Sequence, residues 1–546
     1  MKIKKLVALI LVIAALAAMT ACADKGKESS PPATSPSASG NSQSPAPDTS
    51  SPNGTETDTP PAGIPGKDTL NIGTVSQLGT FQHGSFGGQP VLFSFVFDPI
   101  FWYDADTGEM YSDILSGWRW VDDLTFEMTV KDGVYFSNGE QMKGSDILYT
   151  LRSYQLKGSP FEPTVAFVDF ENSTTSADGL TLTLKCKYTY SPMLFIQPTP
   201  VVSEKWCEEN GWETQDWYHN PCGSGPFKVA EYVADSHVRF ELREDYWGDK
   251  TFPYKTVVVK YFGSDSTMYI ELESGTIDIA VGVNNEDFTR ALSGSNPKIA
   301  AEKTTGDYFQ VLMWNPSNEY LKNQNIRTAL TMATDWETLV ETCYGELGIV
   351  SDTAAPVISK FYDPSVKRVA YDPDKAKEML AAEGVKDGDI VLTILTTTQN
   401  EKYGTTLQYY LKQVGVTLNL EFMDFATMQM TLFTSTDPTI VNTFGGPAYA
   451  DPQGTLVNTI KSSTTWPSHT FVDDAEYERI MAAIIATTDE AKQKQYYSEL
   501  QKRVAETNPF VPFMIRLAGV CYNTDVIAHA KFTNVGDANY TSIVYK

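Results

Sequence analysis

The clearest alternation of apolar and polar positions lies in residues 389–422. An apolar run from Ile390 to Leu395 predicts a buried strand, and Leu407, Leu411 and Val414 then recur at helical spacing. Gly415 stands where a helix ends in the left-handed conformation, and apolar residues alternate over 416–422. The pattern predicts a β-α-β unit with parallel strands and a right-handed crossover.

Other segments predict a second helix and a second style of sheet. Asp372 and Pro373 are favourable as the N-cap and first residue of a helix that Gly384 ends. By contrast, residues 123–138 and 176–190 alternate Thr, Leu, Phe and Val between turn sequences, which is typical of antiparallel strands. The 546 residues are too many for a single core, so we expect more than one domain.

The N-terminus has the order of an export signal. Lysines precede an apolar run from Leu6 to Met19, which is shorter than the roughly 20 residues that span a bilayer. We predict that residues 1–22 are a cleaved signal and that the Ser, Pro and Thr-rich residues 23–67 are a disordered tether. The small residues before Cys22 resemble a bacterial lipobox, which implies a lipid on Cys22; a plain secreted protein is the alternative.

Charge and cysteine content limit the partners and the bonding. Acidic residues outnumber basic ones by 68 to 42, which disfavours nucleic acid and anionic lipid surfaces as partners. Six cysteines including Cys22 leave an odd number in an oxidising compartment, so we expect at least one free thiol. Cys207 and Cys222 are the predicted disulfide, with two buried thiols as the alternative.

The familiar catalytic signatures are missing from the sequence. It contains no Gly-x-Ser-x-Gly elbow, no phosphate-binding glycine loop and no zincin helix, and its five histidines lack metal-ligand spacing. We therefore predict no enzyme activity, no metal site and no cofactor. A secreted hydrolase with paired carboxylates remains the alternative from a different class.

A set of short motifs resembles a known family. Residues 124–149 (LTFEMTVKDGVYFSNGEQMKGSDILY) are similar to the signature of the peptide and nickel group of ABC-transporter solute-binding proteins. Weaker matches follow in the family's order: Gly223–Val229, Tyr246–Gly248, Leu272–Ile279, Asn325–Leu330, Tyr371–Lys377 and Leu411–Val416. We expect most of these residues to be structural, because Gly and Pro set turns and caps.

The resemblance implies an α/β, two-lobed, hinged fold like that of periplasmic binding proteins, with an extra, mostly β domain inserted in lobe I. Lobe I would comprise residues 68–105, 195–305 and 516–546. The extra domain would be 106–194, and lobe II would be 306–515. Ligand would bind between the lobes, and closure would bury it.

The candidate binding site is the loop after a predicted strand at 438–444, because ligands of α/β sheets bind beyond the carboxyl ends of strands. In peptide-binding relatives an aspartate of this loop pairs with the ligand's ammonium group, and here that position is Ala448. Asp451 is a possible replacement, although it fits a loop-holding role as well. The candidate ligand contacts are Phe81, His83, Phe86, Trp314, Phe444, Gly445, Tyr449 and Asp451, with core packing as the alternative for each aromatic ring.

The resemblance also implies the biological role. The chain would be the lipid-anchored binding component of an ABC importer on the outer face of the cytoplasmic membrane. It would act as a monomer with permease and ATPase subunits as partners. A peptide is the favoured ligand, and an oligosaccharide or a metal chelate is the alternative. A sensory role also fits the sequence.

Overall fold

The structure is a computed structural model. It describes residues 68–82, 90–103, 110–155, 165–188, 199–212, 216–303, 308–353, 355, 359–447, 475–487, 489–529 and 544–545. Several predicted features lie outside these residues: the signal, the tether, Cys22, His83, Phe86, Ala448, Tyr449 and Asp451.

The first large sheet has seven strands. In spatial order they are β12 (Ile299–Lys303), β19 (Gly519–Asn523), β11 (Ile279–Val281), β1 (Thr69–Thr74), β10 (Thr256–Tyr261), β9 (His237–Leu242) and β8 (Phe227–Val233). β1 pairs in parallel with β10 and β11, and the remaining pairs are antiparallel. Alternate side chains such as Ile72 and Val259 are fully buried, so the sheet lies within the core.

The second large sheet has six strands. In spatial order they are β14 (Gly348–Val350), β18 (Phe510–Arg516), β13 (Tyr308–Met313), β17 (Ile440–Pro447), β15 (Val391–Thr396) and β16 (Thr417–Phe422). β15 and β16 pair in parallel around helix α9 (Glu401–Gln413), which confirms the predicted β-α-β unit. Leu407 and Leu411 are buried, and Gly415 has a φ of +79°.

A smaller sheet of four strands is antiparallel throughout, as predicted for this part of the chain. In order it contains β4 (Leu115–Asp122), β5 (Thr125–Val130), β7 (Thr181–Cys186) and β6 (Val168–Thr175). Two short pairs complete the described strands: β2 (Trp102–Tyr103) with β3 (Met110–Tyr111), and β20 (Ile527–His529) with β21 (Val544–Tyr545).

The described helices are mostly of two to four turns. They are α1 (Pro90–Val96), α2 (Gly144–Ser153), α3 (Glu204–Asn210), α4 (Asp265–Ser274), α5 (Asn285–Leu292), α6 (Gln324–Met332), α7 (Trp336–Tyr344), α8 (Pro373–Ala382), α9, α10 (Phe425–Thr434), α11 (Ala475–Ile485) and α12 (Glu490–Thr507). Short 3₁₀ turns cover Gly345–Leu347 and Thr398–Asn400. The prediction for α8 is confirmed, since the Asp372 carboxylate accepts a 2.9 Å hydrogen bond from the Lys375 backbone N–H.

The chain passes twice between the two large sheets. β12 leads into β13, and β18 leads into β19 through Leu517 and Ala518. A third, non-covalent connection accompanies them: Leu347 is buried with Phe288 and Leu517 in one cluster, and Glu346 pairs with Lys303 at 3.0 Å. The crossing region is therefore a packed unit, and the predicted domain boundaries on either side of it stay predictions.

The segment Gly223–Phe227 shows why several family-like motifs are structural. The Gly225 backbone N–H donates to the Val96 carbonyl at 2.8 Å, and a Cβ on Gly225 would lie 2.6 Å from the Val96 carbonyl carbon. The buried Arg243 guanidinium donates to the Gly225 carbonyl at 2.9 Å and to the Phe136 carbonyl at 3.2 Å. The segment thus brings α1, the signature residues 124–149 and β8 into close backbone contact.

The predicted disulfide is wrong in this structure, because Cys207 and Cys222 are not bonded to each other. Cys207 packs with Phe95 and Trp217 around the seven-stranded sheet, whereas Cys222 packs with Phe136 beside the four-stranded sheet. Closeness in sequence did not bring the two sulfurs together, because the chain between them turns from one hydrophobic cluster to the other.

Asp98 is a buried carboxyl group whose titration affects stability. It accepts a 2.9 Å hydrogen bond from the Ser224 hydroxyl, and it lies near Asp113, which pairs with Lys250 at 2.7 Å. Burial, followed by the charge of Asp113, raises the pKa of Asp98 from its ordinary value of 3.8 to about 6. Since the folded state holds this proton more tightly than the unfolded state, Asp98 costs stability progressively as the pH rises from about 4 to about 6.

We expect Asp98→Asn to raise the free energy of unfolding by about 1–2 kcal/mol at pH 7 and to change it little at pH 4. The shift in pKa limits this increase in the free energy of unfolding to about 3 kcal/mol. The cost of burying the asparagine amide offsets part of it. Denaturant unfolding at both pH values measures the difference. Asp249→Asn, which removes the same charge from an exposed position, is the control. An equal effect of Asp98→Asn at pH 4 and pH 7 would contradict the assignment.

Candidate functional site

In both large sheets, the carboxyl ends of the parallel strands lie at the edge where the chain crosses. In the seven-stranded sheet, β1 and β11 end at Thr74 and Val281, next to the start of β19. In the six-stranded sheet, β17 ends at Pro447 opposite Tyr308, and Tyr308 also pairs with Arg516 at the end of β18. The two edges therefore meet at the crossing segments, where an α/β protein is expected to bind ligand.

Phe444 and Gly445 lie in β17, so the strand continues past residue 444, where the sequence predicted its end. Phe444 pairs with Val311 and Gly445 with Gln310, and the strand continues to Pro447. The glycines do not end the strand because β13 supplies backbone partners for residues 442–447. Tyr449 and Asp451 lie outside the described residues, as do His83 and Phe86, so their roles stay predictions.

Phe81 and Trp314 occupy hydrophobic cores. Phe81 is fully buried in the first cluster and meets Phe240 edge to face, with ring centroids 6.0 Å apart. Trp314 is buried in the core of the six-stranded sheet. It follows Met313, at the end of β13 opposite to Tyr308, and is about 20 Å from the candidate edge by strand rise. Both rings are thus core residues in this structure, and ligand contact by either of them stays a prediction.

The edge carries two charged residues that the sequence did not single out. Asp265 follows the carboxyl end of β10 as the first residue of α4, and Arg516 ends β18. The Arg516 guanidinium lies 6.0 Å from the centre of the Tyr344 ring. The rule that ligands bind beyond the carboxyl ends of strands, which favoured residues 445–452, applies equally to side chains after the other strands of both sheets. It was therefore the sequence signal that could have pointed to Asp265 and Arg516.

The described residues contain neither a cluster of metal-ligating side chains nor a membrane-spanning helix. In this part of the chain, no three His, Cys, Asp or Glu side chains are grouped so that they could hold a metal ion. Nor do its helices include one that is both long and apolar enough to cross a membrane.

Comparison with known proteins gives one family. Residues 109–466 match the model of the bacterial extracellular solute-binding proteins, family 5, middle. The oligopeptide-binding protein AppA of Bacillus subtilis is 24% identical over 431 residues, which are 71% of this chain and 74% of that protein. The nickel-binding periplasmic protein of Escherichia coli is 23% identical, with 77% of this chain and 83% of that protein covered.

Solved structures show the same fold. The dipeptide-binding protein from Pseudoalteromonas sp. SM9913, in complex with Met-Leu, has a TM-score of 0.77 and 19% identity, and the match covers 88% of this chain and 100% of that one. The AppA structure from Bacillus subtilis, in complex with a nonapeptide, has a TM-score of 0.76. The predicted two-lobed α/β fold is therefore confirmed.

Proposed function

The chain belongs to the bacterial extracellular solute-binding proteins of family 5, and from that premise we propose that it captures a peptide as the substrate-binding component of an ABC importer. Relatives named for oligopeptide and dipeptide binding support a peptide. The observation that carries the proposal is the meeting of the strand ends of both large sheets at the crossing segments. A ligand there contacts both lobes, so closure around it gives the permease a signal that the site is filled.

We propose further that the protein is a monomer held by a lipid on Cys22 at the outer face of the cytoplasmic membrane, and that it is not an enzyme. The tether would leave the folded part free to dock on permease and ATPase subunits. Release of a Cys22→Ala variant from the membrane fraction is the expected result, and its full retention would count against the anchor.

Thermal unfolding in the presence of candidate ligands tests the proposed function. A ligand at 100 times its Kd raises the free energy of unfolding by about 2.7 kcal/mol. We expect a shift with one or more di- to pentapeptides, and a smaller radius of gyration by solution scattering in the same mixture. Oligosaccharides and metal chelates are the parallel arms, and a shift with either of them alone would overturn the peptide assignment.

A further inference from the structure

The short 3₁₀ turn Gly345–Leu347 belongs to one sheet by sequence and to the other by packing. It follows α7 and leads directly into β14, an outer strand of the six-stranded sheet. The Leu347 side chain, however, is buried in one hydrophobic cluster with Phe288 and Cys521. Apart from Leu347, the buried residues described for this cluster come from α4, α5, β11, β12, β19 and the chain directly beside them. The turn is therefore a piece of the six-stranded part that is inserted into the core of the seven-stranded part.

Polar and backbone contacts hold the inserted turn in place. The Asn285 side-chain oxygen accepts a 3.1 Å hydrogen bond from the Glu346 backbone N–H, and the Glu346 carboxylate pairs with Lys303 at 3.0 Å. The Leu347 carbonyl accepts a 2.9 Å hydrogen bond from the Leu517 N–H, which lies in a crossing segment. All three partners lie outside the six-stranded sheet, so the turn is attached to the other side by both apolar and polar contacts.

Two glycines permit this close approach. Gly345 has a φ of +48°, and a Cβ there would lie 2.5 Å from the Asn285 side-chain nitrogen. Gly519 begins β19, and a Cβ on it would lie 2.8 Å from the Phe288 ring and 3.2 Å from the Leu347 side chain. Each glycine thus lets the turn lie against its neighbours without a side chain in between.

The turn is in line with the two places where the chain crosses between the sheets. Gly348, Arg516 and Tyr308 are partners in register on the adjacent strands β14, β18 and β13. The turn precedes the first of them, one crossing follows the second, and the other crossing precedes the third. Since neighbouring strands are about 4.8 Å apart, the two crossings span one strand spacing, and the turn extends that row to about 10 Å.

We propose that Gly345–Leu347 is a third pivot of the hinge between the lobes, and that it restricts the lobes to rotation about the row that it forms with the two crossings. Two attachments one strand apart resist twisting poorly, whereas a third attachment in line lengthens the axis and leaves rotation about it free. Leu347 is the main anchor because its side chain is buried, while the ion pair of Lys303 and Glu346 is exposed and contributes little. This inference goes beyond the proposed function, because it holds whichever ligand the lobes enclose.

The test measures the relative orientation of the two sheets in the full-length protein without ligand. Spin labels are attached through genetically encoded p-acetylphenylalanine, which avoids the protein's own cysteines. The labelled positions are Lys228 and Glu421, exposed residues on β8 and β16, the outer strands farthest from the crossings. Pulsed electron paramagnetic resonance then gives the distribution of distances between the labels. We expect Leu347→Ala to broaden this distribution about twofold, because the lobes twist more freely without the anchor.

Two further variants separate the pivot from a general loss of stability. Leu380 is also buried, but in the core of the six-stranded sheet and in a different cluster from Leu347. Leu380→Ala should therefore lower the melting temperature, as Leu347→Ala does, and leave the distance distribution unchanged. Asn285→Ala removes the acceptor of the Glu346 N–H while Leu347 stays buried, and it should broaden the distribution by a smaller amount.

The outcomes are decisive once circular dichroism melts establish which variants are folded. An unchanged distribution in folded Leu347→Ala overturns the third pivot. Equal broadening in Leu347→Ala and Leu380→Ala also overturns it, because lost stability alone then loosens the lobes. If Leu347→Ala does not fold, an unchanged distribution in Asn285→Ala contradicts the proposal. Because no ligand is present, a failure of the peptide assignment leaves this result unaffected.

Discussion

Replacement of Arg327 by methionine should lower the free energy of unfolding by about 3–5 kcal/mol. The guanidinium is buried and donates to four backbone carbonyls, at 2.9 Å to Asn508, 2.8 Å to Thr507, 3.0 Å to Leu321 and 3.1 Å to Lys322. Burial lowers the pKa of Arg327, so its bonds must offset a real desolvation cost. Without the guanidinium, the buried carbonyls of Asn508, Thr507 and Leu321 lose this donor.

The effect should be large because Arg327 closes a helix end. The carbonyls of Thr507 and Asn508 terminate α12, where Asn508 adopts a left-handed conformation with a φ of +46°. Denaturant unfolding measures the loss. Arg327→Lys, with one compact ammonium group, should be intermediate, and Arg479→Met, at an exposed ion pair, should change stability far less. A change below about 1 kcal/mol in Arg327→Met would show that water replaces the guanidinium.

Replacement of Gly225 by alanine should lower the free energy of unfolding by about 3 kcal/mol or more. Its Cβ would lie 2.6 Å from the Val96 carbonyl carbon and 2.8 Å from both the Phe95 oxygen and the Phe97 nitrogen. All three are backbone atoms, so no side-chain rotation can relieve the contact, and either α1 or the Gly223–Phe227 segment must move.

Gly117→Ala is the matched control for Gly225→Ala. Gly117 lies in β4, and a Cβ there would meet nothing within 4 Å. We expect this control to keep or slightly raise the unfolding free energy, since alanine restricts the unfolded chain. Equal midpoints in thermal unfolding for the two variants would mean that the contact between Gly225 and α1 is looser than these distances indicate.

Local sequence signals predicted much of the fold. The residues that cap α8 and α9 and the apolar residues on their buried faces lie within about four helical turns of one another in the sequence. Asp372, Leu407 and Gly415 were therefore sufficient to predict these helices. The end of β17 was missed because its glycines acquire strand partners from β13, which is far away in sequence. Asp265 and Arg516 were missed for the same reason, since only the sheet register brings them to one edge.

The sheet order also constrains when this chain can fold during its biogenesis. β18 and β19, which come from residues 510–523, are inner strands of the six-stranded and the seven-stranded sheet respectively. Until they emerge, β14 and β12 have no neighbour, and β13 and β11 expose open edges. Neither large sheet is complete before nearly the whole polypeptide has been synthesised. This late completion suits a chain whose predicted signal directs it across a membrane while still unfolded.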